Sequence, residues 1–114
     1  MEVASTLEMK MSDAHFPDLI RSLPEFEGPF DAVRLAGDGC EVLFASYPGG
    51  TVIESHTHPT QNCGVITKGE LLLTVNGVEG RYGPGDWYRL DVDQEHSARF
   101  EVDTSEIEFW FSVR

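Results

Sequence analysis

The chain has 114 residues and a mass of 12.7 kDa, a size that fits one domain burying roughly two-thirds of the surface its unfolded chain exposes. Its composition, 40% hydrophobic and 25% charged, is ordinary for a folded soluble protein, and no apolar run approaches the roughly 20 residues of a bilayer span, which argues against a membrane protein. Twenty acidic residues against eight basic ones give a formal net charge of -12; such a field repels phosphate backbones and anionic headgroups, so nucleic acid is not an expected partner and the acidity is read as solubility.

Residues 1–10 lack the basic start and apolar stretch of a secretory signal, so the cytoplasm is the expected compartment. Residues 1–30 differ in texture from the rest and are expected to form an N-terminal extension packing on a β-barrel that occupies residues 31–114. Within the extension, residues 12–24 carry Ser and Asp starts, Pro17 where a first helical turn begins and Pro24 as a stop, predicting a short helical or irregular segment. Glu27-Gly28-Pro29 then breaks the chain, and strand-like runs follow: 31–36 before Gly37-Asp38-Gly39, 40–47 before Pro48-Gly49-Gly50, 51–58 before Pro59, and 62–67 before Lys68-Gly69. Runs 70–75 and 78–82 flank Asn76-Gly77, the dipeptide of a two-residue hairpin whose central positions both need positive φ. After Gly83-Pro84-Gly85-Asp86 come runs 87–90, 96–102 and 107–113. In the last, Ile107, Phe109, Phe111 and Val113 alternate with Glu108, Trp110 and Ser112, giving one apolar face. Roughly nine short strands at this spacing predict an all-β sandwich or a closed barrel.

The chemistry is concentrated in His56-Thr57-His58, followed by Asn62 and much later by His96. Side chains two apart on a strand share a face, so His56 and His58 can aim two imidazoles at one point. Three imidazoles and an amide oxygen make a mixed nitrogen and oxygen donor set of the kind that holds a divalent transition metal (Zn, Fe, Ni, Mn or Cu) with positions left open.

These residues resemble the cupin superfamily. Its first motif is a Gly, five residues, His-x-His, three or four residues, a Glu, six residues and a Gly; Gly50, His56, His58 and Gly69 stand at those separations, with Asn62 in the Glu position. Its second motif places a Pro-x-Gly turn, a His and an Asn after a Gly; Gly85 and His96 fit, whereas Asp91, Asp93 and Phe100 occupy the Pro, Gly and Asn positions. The resemblance runs from about Gly50 to Phe100 and implies a small double-stranded β-helix, or jelly-roll barrel. It also implies metal ligands at His56, His58, Asn62 and His96, and a homodimer paired through outer sheet faces.

Asn62 departs from the motif in a way that matters chemically, because its neutral amide is a weaker ligand than a carboxylate and no base at neutral pH. Gln61 points to the other face of a regular strand and substitutes only through a bulge. Glu54 shares a face with His56 by alternation, which makes it either a partner to the site or a solvated residue at the barrel mouth. Cys40 and Cys63 are expected to be reduced thiols, with Cys63 facing away from the interior. Arg89 and Arg99 are expected in surface ion pairs, and His15 at the surface. Trp87, Tyr88, Phe109, Trp110 and Phe111 are core, interface or pocket-floor aromatics. Two function classes follow. One is a metalloenzyme acting on a small oxygen-rich molecule, such as a sugar acid or oxo acid, by isomerase, lyase or dioxygenase chemistry; the other is a non-catalytic small-molecule-binding or sensing module.

Overall fold

A computed structural model describes residues 15–112. In chain order it contains helix α1 (Asp18–Arg21) and strands β1 (Asp31–Ala36), β2 (Cys40–Tyr47), β3 (Val52–His56), β4 (Asn62–Lys68), β5 (Leu71–Val75), β6 (Val78–Tyr82), β7 (Trp87–Leu90), β8 (His96–Arg99) and β9 (Thr104–Phe111). The strands form two antiparallel sheets, a five-stranded one in the order β1-β2-β9-β4-β7 and a four-stranded one in the order β3-β8-β5-β6. This is the expected all-β jelly roll. Two faced sheets let each strand bury one side only, which is what the short alternating runs require.

The local turn chemistry works as the residue types dictate. Asn76 and Gly77 both take positive φ, +53° and +76°, and join β5 to β6 in the register Val75↔Val78. Gly69 sits at φ +86°, and a Cβ there would lie 2.4 Å from the Asp103 carbonyl oxygen, so both conformation and space demand glycine. The short helical or irregular segment expected within residues 12–24 contains α1, with Pro17 in its N-cap position; residues 12–14 lie outside the described residues.

Several residues of the segment before β1 are tied to the five-stranded sheet. Arg34 donates its backbone N–H to Pro24 at 2.8 Å, and Phe26 donates to Ala32 at 3.0 Å, which adds a short edge to β1. Phe16 packs edge-on against Phe44 on the sheet's outer face, with ring centroids 5.7 Å apart. His15, expected at the surface, is half-buried beside it and hydrogen-bonds Ser105, whose hydroxyl also meets Ser46 at 2.7 Å.

Strand β9 begins at Thr104, three residues before the apolar alternation that marks it in the sequence. It lies between β2 and β4, paired along both edges, so Thr104, Ser105 and Glu106 are buried by their neighbours whatever their polarity. Leu43, Ala45 and Ile66 from one sheet meet Leu71 and Leu73 from the other in the core. Tyr47 and Phe100 stack nearly parallel at 4.4 Å in the same interior, a contact worth about 1 kcal/mol beyond its buried area.

Candidate metal centre

The pairing of β3 with β8 puts His56 directly across from His96. Between the pairs Ile53↔Ala98 and His56↔His96, β3 advances three residues while β8 advances two. That bulge breaks the period of two, so Ile53 and His56 both line the interior cavity although they stand three apart. His58 lies two residues beyond the end of β3, in the loop. Its carbonyl accepts a 2.9 Å hydrogen bond from the N–H of Asp93, which adopts φ +57°. The cupin motif has glycine there, and Asp preserves the left-handed turn because its short polar side chain tolerates that region.

The three histidines converge. One ring nitrogen of each lies within 4.8 Å of those of the other two. Each Nδ1 lies on a backbone carbonyl: His56 on Glu54 at 2.8 Å, His58 on Thr60 at 3.1 Å and His96 on Gln94 at 2.9 Å. A carbonyl only accepts, so each Nδ1 carries its proton and each Nε2 lone pair is free to bind, the arrangement that orients imidazole ligands around a metal. Burial pushes the His96 imidazole down from its ordinary value, which keeps it neutral, as a ligand must be.

Asn62, the first residue of β4, is 2% exposed and lines the same cavity. Its Oδ1 is buried with no hydrogen-bond partner among the described residues. An orphaned buried carbonyl oxygen costs about 1–3 kcal/mol; a cation or donor in the cavity removes that cost. Three free imidazole nitrogens and one unpartnered amide oxygen therefore fit a transition metal.

The remaining residues singled out by sequence fall away from this cluster or reach it differently. Glu54 is exposed and lines the cavity, and it meets His56 through its backbone carbonyl. Gln61 donates to Asp91 at 3.3 Å and is not among the residues that line the cavity. Arg99 pairs with Glu79 and Glu101, and Arg89 with Asp91, all outside the cavity. Cys63 is a free, half-buried thiol whose pKa burial pushes up, which suits an inert structural role.

The interior cavity has a volume of about 450 Å³ and holds the histidines together with two residues sequence reasoning did not single out, Glu106 and Glu108. They stand two apart on β9, 2% and 3% exposed, on the face opposite Ile107 and Phe109. Tyr88 donates its hydroxyl to Glu106 Oε1 at 2.5 Å, and Tyr47 donates to Glu108 Oε2 at 2.5 Å. Trp110, which packs edge-on against His58 at 4.7 Å, donates Nε1–H to Glu108 Oε1 at 3.1 Å and so links the carboxyls to the histidines. Burial raises both carboxyls above their ordinary value, and burial with the adjacent glutamates holds both phenols well above theirs. The signal in the sequence was the alternation of β9 itself: if its apolar side faces outward, its glutamates face in.

The sequence model of the cupin domain matches residues 43–113. No curated protein matches the sequence. Among solved structures, KdgF from Halomonas sp. is similar over 87% of this chain and 93% of its own, with a TM-score of 0.70 and 20% identity. A cupin superfamily protein from Desulfitobacterium hafniense DCB-2 is similar over 87% and 96%, with a TM-score of 0.69 and 14% identity. The DMSP lyase DddQ from Ruegeria pomeroyi DSS-3 is similar over 76% of this chain and 49% of its own, with a TM-score of 0.65 and 22% identity. At these identities the likeness is one of fold.

Proposed function

This chain belongs to the cupin family, and on that premise we propose that it is a small metalloenzyme in which His56, His58, His96 and the Asn62 amide oxygen hold a divalent transition metal. The observation that supports catalysis over simple binding is the pair of buried carboxyls, Glu106 and Glu108, in the cavity that the histidines line. A metal held by these residues would supply Lewis-acid chemistry to a substrate oxygen. Proton-transferring groups beside such a site favour isomerase or lyase chemistry with Zn, Ni or Mn, whereas iron would suit a dioxygenase.

The substrate we propose is a small oxygen-rich molecule, a sugar acid or oxo acid. No Lys or Arg lines the cavity among the described residues, so its carboxylate has only the metal for a cationic partner. The apolar walls, Ile53, Leu71, Leu73, Leu90 and Phe100 among them, exclude water from the polar residues and strengthen the electrostatics there. The neutral Asn62 in a carboxylate position favours a second reading, a module that binds or senses a small molecule without turning it over.

Elemental analysis of the purified protein tests the metal: one ion per chain, lost in His96→Ala, supports the site. Protein that stays metal-free after supplementation with each of the five metals refutes it. Screening the loaded protein against sugar acids and oxo acids separates enzyme from module, since turnover supports the first and saturable binding without turnover the second.

We also propose a cytoplasmic homodimer, built through the outer face of the five-stranded sheet, with residues 1–30 as an extension of the barrel. Leu35, Trp87 and Phe111 are exposed on that face and Trp87 stacks on Phe109 at 5.8 Å, whereas the other sheet turns outward the ion pairs of Arg99 with Glu79 and Arg81 with Glu70. Light scattering on the eluting protein reads the stoichiometry, and a monomer at all concentrations would end this proposal.

A further inference from the structure

Glu106 and Glu108 occupy equivalent positions on one strand face but are not equivalently bonded. Both oxygens of Glu108 are in use, Oε2 by the Tyr47 hydroxyl and Oε1 by the Trp110 indole. Glu106 receives only the Tyr88 hydroxyl, on Oε1; its Oε2 has no hydrogen bond among the described residues, and the residue lines the cavity. Two donors stabilise a buried carboxylate more than one does. Two carboxyls two residues apart on one buried strand face oppose each other's ionisation, so the pair titrates as a unit.

We infer that Glu106 and Glu108 share one proton at neutral pH, that it sits on Glu106, and that Glu106 is the acid and base that meets the ligand while Glu108 stays its anionic partner. The ligand half of this inference rests on reading the cavity as a reaction site; the location of the proton does not.

The surroundings agree. The titratable groups lining the cavity with Glu106 are Glu108, Tyr47 on β2, Tyr88 on β7, the three histidines and the exposed Glu54, and no Lys or Arg is among them. Burial and the charge of Glu108 raise Glu106 well above the ordinary carboxyl value, against one hydrogen bond that lowers it. For Glu108, the bonds from Tyr47 and Trp110 oppose the effect of burial.

The division of labour restricts the ligand class. A protonated Glu106 offers a donor to a carbonyl or hydroxyl oxygen, and an anionic Glu108 with no Lys or Arg lining the cavity beside it repels a second negative group. The cavity therefore takes a small oxo or hydroxy compound with at most one carboxylate, and disfavours phosphate esters and dicarboxylates. In a hydrogen shift within such a ligand, the Glu106 O–H bond breaks as its proton passes to the ligand, and the proton released from another ligand atom re-forms that bond. Nothing else is consumed.

Infrared spectra across a pH titration read the C=O stretch of a protonated carboxylic acid. Wild-type protein at neutral pH shows one such band; Glu106→Gln lacks it and Glu108→Gln keeps it. A band that survives in Glu106→Gln and vanishes in Glu108→Gln, or no band in wild type, overturns the inference. A hydrophobic carbodiimide, which modifies protonated carboxyls it can reach, tests proton and access together on wild type alone. Peptide mass analysis finds the adduct on Glu106; an adduct on Glu108 instead, or on neither, overturns the inference. Elemental analysis of the same samples keeps the two readings apart. Absence of metal ends the metal reading and leaves the infrared result standing, while metal with a misplaced band ends this inference alone.

Discussion

The two sets of polar residues that line the cavity, the histidines and the glutamates, are held in contrasting ways. Each histidine rests on a backbone carbonyl two residues from itself, so its orientation is set by local chain geometry. Each buried glutamate rests on a tyrosine distant in sequence, Glu106 on Tyr88 of β7 and Glu108 on Tyr47 of β2. Strand pairing brings both sets together, but the histidine rings are oriented by short-range hydrogen bonds and the carboxyls by partners distant in sequence. A local change should disturb metal binding with little effect on the fold, whereas a change at the carboxyls should register in stability.

The largest effect separates the two sets outright. His96→Ala removes the metal, and with it the stabilisation a ligand at a hundred times its dissociation constant confers, about 2.7 kcal/mol. Metal content and the difference between loaded and chelated melting curves check this, with the chelated variant melting close to chelated wild type.

Tyr47→Phe comes next. It strips a donor from a buried anion and should cost about 2–3 kcal/mol in denaturant unfolding, while Tyr88→Phe, whose acceptor is a neutral acid, should cost about 1 kcal/mol. Equal costs would break the asymmetry between the two carboxyls.

The pH dependence is smaller and has a definite sign. The folded-state pKa of Glu106 is raised, so the folded chain holds a proton the unfolded chain has released. This contribution is fully present below the ordinary value of 4.5 and is lost as pH rises through the folded value. Melting temperature should therefore fall more steeply toward alkaline pH in wild type than in Glu106→Gln, and parallel profiles would count against a raised Glu106.

The smallest expected change lies outside the cavity. Trp87→Ser on the exposed sheet face should shift monomer stability by no more than about 0.5 kcal/mol and leave metal content unaltered, while shifting the proposed dimer toward monomer in light scattering. Loss of metal in this variant would show that the two faces of the sheet are coupled.

Much of this was legible in the residues. Turn chemistry marks the strands: Asn76-Gly77 forms the hairpin it predicts, and β1, β2, β6 and β7 have the bounds read from their flanking turns. His56 and His58 stand at the separations of one family motif, with Asn62 in its Glu position, and His96 at that of a second; the structure brings the three histidines together with Asn62 lining the same cavity. Other features were not legible. The bulge in β3 lets Ile53 and His56, three residues apart, line one cavity, which a strict period of two does not predict. The strand start at Thr104 lacks an apolar signal because β9 is buried by the strands on either side.

The sequence by itself determined the fold class, the hairpins and three histidines at metal-ligand separations, because these depend on alternation, turn conformations and distances along the chain. Only the tertiary structure decided which side of β9 faces in. An alternating strand reads the same from either face, and a Glu-x-Glu in it looks like a solvated edge until two sheets close over it. Burial then turned Glu106 and Glu108 from surface charges into carboxyls whose pKa the protein controls, because an ion removed from water must find its partners in whatever strands the topology has placed beside it.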